Sequence, residues 1–249
     1  GQNDGKIVDS FSTGTLTTND LNPVGGLCGN NGRLINNCYS SMDIYVGSGL
    51  ECVGGICGEI SGWYCFFGNI SNCLYTGNIY AGEGCRKIGG ICGENWGVNI
   101  SNCYFNGTID VGTESELIGG ICGIIRDATI NNCFWDTEIS GLEVGFHSDP
   151  CYPSSVENVR GLTTAEMKVK SNFINSGWDF VGESANGTSE YWQMSSENSY
   201  PELANFNGYE PVVLMGNGSE DSPYLVRNPA ELGAIWHYTS DAYFRLEGD

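Results

Sequence analysis

Residues 89–109 read GGICGENWGVNISNCYFNGTI, and most of the chain before residue 140 repeats this pattern. The first half, Gly-Gly-hydrophobic-Cys-Gly, occurs four times at spacings of 29, 35 and 30 residues. The second half, Ile-x-Asn-Cys, follows each of these copies, and a degenerate copy opens the chain at residues 7–16. A period of about 30 residues is typical of solenoids and arrays, whose units bury their apolar faces only by stacking on one another.

Each unit has the pattern of short strands separated by turns. Residues alternate with period two in runs such as 100–105, and Gly and Asn cluster between the runs. No unit holds an apolar pattern long enough for a helix, which excludes leucine-rich, ankyrin and helical-pair repeats. The sequence therefore predicts an all-β chain, a β-solenoid (β-helix) of about five rungs, with a C-terminal segment that contains two short helices and several strands. Two core columns are expected: Leu27, Ile56, Ile91 and Ile121 in one, and Ile35, Ile70, Ile100 and Ile130 in the other.

These elements resemble the GLUG-motif repeat of prokaryotic secreted and cell-surface proteins. The resemblance is carried by Gly-Gly-hydrophobic-x-Gly and by Ile-x-Asn-x-Tyr-x-x-Gly-x-Ile, which stands here as residues 100–109. It covers residues 5 to about 140 directly and continues weakly to about residue 203. The resemblance implies a scaffold or adhesion element, and it implies little about catalytic activity.

Composition excludes several classes of partner. The chain of 249 residues has a net charge of −20 with only ten Lys and Arg residues, which argues against nucleic acid and against anionic membrane surfaces. Its longest apolar runs are about five residues, so no membrane span is predicted. No signal peptide opens the chain, and we expect a mature exported form.

The twelve cysteines are too numerous and too regularly placed for a reducing compartment. A zinc site is disfavoured because there is no Cys-x-x-Cys motif and only two histidines are present, so no metal ligands are assigned. The degenerate first copy has Ser10 in place of Cys and also lacks the upstream Cys. This joint absence predicts disulfides within units, although pairing between adjacent units satisfies the same counts. The predicted pairs are Cys28 with Cys38, Cys57 with Cys73, Cys92 with Cys103 and Cys122 with Cys133, followed by Cys52 with Cys85 and, by elimination, Cys65 with Cys151.

Three segments are predicted along the chain. Residues 1–140 form the solenoid repeats, residues 141–210 a closing α/β module, and residues 211–249 a strand-helix-strand segment for stacking on a following module or subunit. Capping boxes at residues 163–166 and 228–231 predict the two helices, ending near residues 173 and 238. Further strands are predicted at residues 178–181, 191–194, 223–226 and 242–246.

Two sets of residues are candidate surface sites. Five Asn-x-Ser/Thr sequons are candidate glycosylation sites: Asn69, Asn99, Asn106, Asn186 and Asn217. The first three lie within the repeats and are expected on solvent-facing turns. The incomplete first rung and the last strand would leave strand edges unpaired, which favours strand addition by another chain. The candidate assembly residues are Ile7, Phe11, Phe244 and Leu246.

Enzymatic and ion-binding functions have weaker support. Asp110 with Glu114 or Glu116 would supply the two carboxylates of a polysaccharide hydrolase, but acids on solenoid turns are more often merely solvated. The repeats hold few basic residues for a lyase, and no nucleophile or phosphate-binding motif is present, so the chain is expected not to be an enzyme. No cofactor is expected apart from a possible structural calcium ion. Its candidate donors are Asn217, Ser219, Glu220 and Asp221.

An aromatic insertion at residues 63–67 is a candidate sugar-stacking or partner surface, although packing over the solenoid flank is the more common role. The sequence as a whole predicts an extracellular or cell-surface structural and adhesive protein. Copies of the chain are expected to assemble head-to-tail into a filament or stalk. The alternative is a carbohydrate-binding or polysaccharide-degrading β-helix module that meets surface glycans.

Overall fold

The computed structural model describes residues 1–61, 68–204, 215–227 and 242–246. Two compact units are present, Gly1–Asn205 and Phe206–Asp249. The predicted helix at residues 228–238 and the aromatic insertion at residues 63–67, with Cys65, lie outside the described residues.

Three parallel sheets form most of the first unit, and the chain visits them in turn. The first sheet contains β1 (Gln2–Asn3), β5 (Cys28–Asn31), β8 (Cys57–Ser61), β12 (Cys92–Trp96), β17 (Cys122–Arg126) and β19 (His147–Ser148). The second contains β2 (Lys6–Val8), β3 (Phe11–Thr18), β6 (Leu34–Val46), β9 (Asn69–Tyr75), β10 (Ile79–Ala81), β13 (Asn99–Ser101), β14 (Tyr104–Phe105), β15 (Ile109–Val111), β18 (Thr129–Asp136) and β20 (Ser155–Leu162). The third contains β4 (Val24–Gly25), β7 (Glu51–Gly54), β11 (Arg86–Gly89) and β16 (Glu116–Gly119).

Equivalent residues of successive repeats lie opposite one another in these sheets. Ile100 aligns with Ile70 on one side and with Ile130 on the other, and all three side chains are fully buried. Each strand therefore pairs with its counterpart about 30 residues away rather than with its neighbour in the chain. This mostly β structure with parallel sheets fits a β-helix, and the predicted isoleucine columns lie in its core.

In three of the four full repeats the Gly-Gly pair makes room for a large inner side chain of the same repeat. A Cβ added at Gly90 would overlap the ring of Phe105, and one added at Gly55 would overlap the ring of Tyr75. Both rings are fully buried, and they stack with centroids 5.6 Å apart. The two halves of the motif are therefore coupled, because the second glycine, which directly follows a strand of the third sheet, leaves the space that an aromatic residue of the second sheet fills.

The asparagine of Ile-x-Asn-Cys is explained by its backbone conformation. Asn tolerates left-handed backbone better than most residues, and a positive φ of 51–54° recurs at the equivalent positions of five repeats. Side chains of neighbouring asparagines are hydrogen-bonded between repeats, as from Asn158 Nδ2 to Asn132 Oδ1 at 3.0 Å. The five residues are Asn37, Asn72, Asn102, Asn132 and Asn158.

The stacked strands extend past residue 140, where the repeats were expected to end. β19 adds to the first sheet and β20 to the second, and β20 pairs with β18 over seven residue pairs. Between β18 and β19 lies α1 (Thr137–Ser140), a helix that was not predicted. Asp136 caps it by accepting hydrogen bonds from the N–H groups of Glu138 and Ile139.

A closing module at residues 163–204 packs on the outer face of the second sheet. Thr163 and Glu166 bond reciprocally as a capping box. The predicted helix is divided into a 3₁₀ turn (Glu166–Lys168) and α2 (Lys170–Ile174). Only part of the predicted strand at 191–194 is strand: β21 (Trp192–Gln193), which pairs antiparallel with β22 (Glu202–Leu203). The predicted strand at 178–181 is reduced to a bridge between Phe180 and Trp192.

Aromatic side chains attach this module to the repeats. Trp178 lies 6.3 Å from Tyr104 and 5.7 Å from Phe134, measured between ring centroids, and all three are at most 2% exposed. Trp178 Nε1 donates to the carbonyl of Asn132 at 3.0 Å, and the Tyr200 hydroxyl donates to Asp136 at 2.6 Å. The module therefore shares a continuous core with the outer face of the repeats.

The second unit contains two described strands. β23 (Tyr224–Val226) and β24 (Phe244–Leu246) pair in parallel, and Phe244 lies beside Tyr224 with ring centroids 5.7 Å apart. Both strands fall within predicted strand segments.

Candidate functional site

The cysteines of the repeats form two columns in the core. Cys28 aligns with Cys57, Cys57 with Cys92, and Cys92 with Cys122, all in the first sheet. The members of the second column, on the second sheet, are Cys38, Cys73, Cys103 and Cys133. The eleven described cysteines are free thiols in the structure. The sulfurs of Cys28 and Cys57 lie 3.6 Å apart, so the structure brings together equivalent cysteines of adjacent units. The within-unit disulfides stay a prediction.

The thiols act as hydrogen-bond donors to the backbone. Cys103 Sγ donates to the carbonyl of Ser101 at 3.1 Å, and Cys92 Sγ donates to the carbonyl of Glu94 at 3.0 Å. Ser10, which replaces Cys in the first copy, donates to the Val8 carbonyl at 2.7 Å in the same way. The Ser/Cys exchange is thus explained by a shared donor role. Burial raises the pKa of the Cys57, Cys92 and Cys103 thiols well above the usual value, which keeps them protonated.

Cys52 and Cys85 are not in register with each other, and the pair Cys65–Cys151 stays a prediction because Cys65 lies outside the described residues. Cys85 lies opposite Leu50 of the preceding repeat, since the N–H of Arg86, the residue after Cys85, donates to the Leu50 carbonyl. The Cys85 thiol donates to the Gly47 carbonyl at 3.1 Å. Cys52 lies two residues after Leu50 and therefore in a different column from Cys85. Its thiol donates to Glu94 Oε2 at 3.3 Å, and burial raises its pKa to about 12. Cys151 is exposed.

The sequons differ in how accessible their side chains are. Asn69 and Asn99 lie in strands rather than on turns, partly buried, and Asn99 Nδ2 donates to Asn69 Oδ1 at 3.3 Å. Asn186 Nδ2 donates to the carbonyls of Ile174 and Trp178. Asn106 follows β14 and is partly buried, while Asn217 is exposed. Because a glycan attaches at Nδ2, the placement favours Asn217, and occupancy stays a prediction for all five.

The candidate assembly residues lie on two strand edges. Ile7 in β2 aligns with Ile35, and Phe11 in β3 stacks on Tyr39 with ring centroids 5.2 Å apart. Phe244 and Leu246 are in β24, where Leu246 is 73% exposed.

A network of buried charges links successive repeats on another flank. Glu94 is 7% exposed and accepts from Lys87 Nζ at 2.8 Å and from Arg126. Arg126 also donates to Asp149 Oδ2 at 2.8 Å, and this contact lowers the pKa of Asp149. Each charge meets an opposite partner, so the network is suited to holding the repeats together rather than to chemistry.

A groove that the sequence analysis did not single out lies on the outer face of the second sheet. Tyr45 and Tyr80 align there and stack with centroids 4.6 Å apart and ring planes 12° apart. Thr17 precedes them in the column and Asp110 follows. We call these four residues the open column. They line a groove of about 420 Å³ together with Asn19, Val46, Ala81, Gly82, Val111 and Gly112.

The acidic residues proposed for hydrolysis have separate environments. Asp110 is exposed in the groove, whereas Glu116 pairs with Arg86 at 3.3 Å on the third sheet and Glu114 is exposed on the turn between them. In the candidate calcium turn, Asn217 Oδ1 and Ser219 Oγ accept backbone N–H groups, and Glu220 and Asp221 are exposed. Across the four described ranges no cluster of three His, Cys, Asp or Glu residues is arranged to hold a metal ion. None of the helices described here is long and apolar enough to cross a bilayer.

The fold and its surface define a parallel-β repeat protein with an attached aromatic module. Comparison with family models matches residues 84–110 to the GLUG motif, which confirms the resemblance in this stretch and is consistent with a GLUG-repeat protein. Comparisons with curated proteins and with solved structures give no match. The GLUG motif suggests a surface or extracellular repeat protein.

Proposed function

We propose that this chain is an extracellular structural or adhesive surface protein, whose repeats form a β-solenoid that joins further copies end to end. The observation that carries the proposal is the edge position of strand β3. This strand is eight residues long and pairs with β6 on one side, and no strand of the described residues pairs with its other side.

The outer side of β3 has the properties of a template for strand addition. The carbonyl of Ser10 accepts from the N–H of Tyr39 in β6, and the carbonyl of Thr18 accepts from Gly47, the residue after β6. The backbone groups of successive residues in a parallel strand point alternately to its two sides. The N–H groups of Thr13, Thr15 and Thr17 therefore point outward. The strand reads FSTGTLTT, without the charged residues or proline that natural edge strands use to prevent pairing.

The second unit offers a strand that fits this edge. β24 pairs in parallel with β23, as the strands of the repeats do, and it exposes the apolar side chain of Leu246. Addition of β24 of one copy to β3 of the next would bury Leu246 and extend the parallel register over part of the strand that begins at Phe11. Repetition of this contact gives a filament or stalk. The proposed role is passive and extracellular, without catalysis and without nucleic acid as a partner.

Light scattering coupled to gel filtration, with electron microscopy, tests this assembly over a series of protein concentrations. Thr13→Pro removes an outward N–H group but keeps the hydrogen bonds to β6, so we expect it to stay monomeric while the unsubstituted chain forms elongated multimers. Thr13→Ser keeps the N–H group and is the matched control, which should assemble. Dispersed monomers of the unsubstituted chain at high concentration, or multimers of the Thr13→Pro variant, would contradict the proposal.

A further inference from the structure

The open column has two aromatic ring faces that no other ring of the described residues covers. Tyr45 and Tyr80 cover one face of each other, and the second face of Tyr80 looks toward the repeat that carries Asp110. The second face of Tyr45 looks toward Thr17. Successive strands are about 4.8 Å apart, and both flanking side chains are shorter than tyrosine. A notch about one ring thick is therefore left beside each tyrosine.

The notches open into the groove of about 420 Å³, which is in the size range of sites for small ligands. Glycines form part of its floor, and a Cβ at Gly82 or Gly112 would come within 2.7 Å of backbone atoms of the neighbouring repeat. At these two positions the lining carries no side chain, which brings peptide groups close to a bound molecule. Tyr45 is 40% exposed and Asp110 is exposed, so both are accessible from solvent.

The chemistry of the groove is an apolar ring face next to hydrogen-bonding groups. The face of Tyr80 offers a flat π surface, while the Asp110 carboxylate and the Asn19 amide accept hydrogen bonds. A pyranose ring has the complementary arrangement, with C–H groups on its face and hydroxyl donors on its rim. A carboxylate accepts two neighbouring hydroxyls through its two oxygens.

The charge of the site selects among saccharides. Asp110 lines the groove, Asp43 lies two residues before Tyr45 in the same strand, and the chain has a net charge of −20. An anionic ligand would be repelled by these carboxylates. We propose that the groove binds an uncharged saccharide, with one sugar ring stacked on the free face of Tyr80 and its hydroxyls bonded to Asp110. This binding site goes beyond the structural role proposed above and does not depend on assembly.

The test is a titration of the full chain with uncharged trisaccharides of glucose, mannose and N-acetylglucosamine, followed by calorimetry and by saturation-transfer NMR. We expect at least one of them to bind. Tyr80→Ala should weaken that binding about tenfold, because the stacking surface is lost. Tyr80→Phe should stay within about threefold, because the ring face remains. Asp110→Asn should weaken binding severalfold, because the amide accepts fewer hydroxyls and loses the charge assistance.

Matched controls separate the groove from the rest of the surface. Tyr152→Ala removes an exposed tyrosine whose ring lies tilted against Trp96, with centroids 4.9 Å apart, and Glu114→Gln neutralises an exposed acid outside the groove. Both should bind like the unsubstituted chain. The proposal is overturned if no uncharged saccharide binds, or if Tyr80→Ala binds as tightly as Tyr152→Ala. Binding of cationic oligosaccharides alone, lost at ~0.5 M salt, would also overturn it, because charge rather than stacking would then account for affinity.

Discussion

Two aromatic columns stand on the outer face of the second sheet, and they differ in what lies over them. Tyr104 and Phe134 belong to the covered column, where Trp178 of the closing module packs on them and neither side chain is more than 2% exposed. Tyr45 and Tyr80 belong to the open column, which faces a groove. Because aromatic surface is favourable to bury, the difference is that the closing module covers one column, whereas among the described residues no ring of that module packs on the other.

The largest effect is expected from removing the cover. Trp178 is fully buried among Tyr104, Phe134, Phe173 and Trp192. Trp178→Ala should lower the free energy of unfolding by about 3–5 kcal/mol, because a large cavity is left in the shared core. Denaturant unfolding measures the change.

Tyr80→Ala is the matched truncation on the open column. It removes only a partly exposed ring and one stacking contact, so it should cost less than about 1.5 kcal/mol. Equal losses for the two variants would show that the columns do not differ in the way described here.

A smaller effect tests whether the inner packing supports the covered column. Gly90→Ala places a methyl group against the ring of Phe105, the residue that follows Tyr104 in the chain. Overpacking of this kind should cost about 1–3 kcal/mol, again measured by denaturant unfolding. Gly5→Ala is the control, since the nearest atom to its added Cβ is a side-chain oxygen at 3.8 Å. If Gly90→Ala were as stable as Gly5→Ala, the explanation of the Gly-Gly motif would be wrong.

The smallest effect concerns pH and a partly buried ion pair away from both columns. The hydrogen bond from Arg126 holds the pKa of Asp149 below its ordinary value of 3.8. A carboxyl whose pKa is depressed in the folded state stabilises the fold above its unfolded pKa, and this contribution disappears as the pH falls through the folded value. Thermal unfolding should therefore show a gap between the unsubstituted chain and Asp149→Asn at neutral pH. The gap should narrow below pH ~4; a gap that widens there would contradict the assignment.

The repeat pattern was sufficient to predict the packing within the stack. The isoleucine columns at Ile70 and Ile100 are core, as predicted, because period-two alternation and a constant repeat spacing together specify both face and register. The capping box at Thr163 and Glu166 was also predicted correctly, because it is a local interaction between residues three apart. Such features depend only on residues that the sequence places at fixed distances.

The open column could have been found from the same spacing. Tyr45, Tyr80 and Asp110 each follow the second cysteine of their unit by seven residues: 45 − 38, 80 − 73 and 110 − 103 all equal 7. That offset places them in one column, although no shared residue type marks it. The predicted pair Cys52–Cys85 has no such shared offset, since Cys52 precedes its Gly-Gly pair by two residues and Cys85 precedes its own by four.

Contacts between the repeats and the closing module could not be predicted. Trp178 meets Tyr104 across 74 residues of chain, 178 − 104, and nothing in either local pattern specifies the other. Burial of thiols was equally hidden, because Cys is both a small apolar residue and a disulfide former, and the sequence alone does not decide between these roles.

Both columns exist only if equivalent residues of successive repeats lie side by side, and methyl-selective NMR tests this directly. With labelled isoleucine methyl groups, the account predicts nuclear Overhauser contacts between Ile70 and Ile100 and between Ile100 and Ile130. It predicts none between Ile70 and Ile130, which are two repeats and about 10 Å apart. Contacts between Ile70 and Ile130 without contacts to Ile100, or no contacts among the three, would contradict the stacking of the repeats.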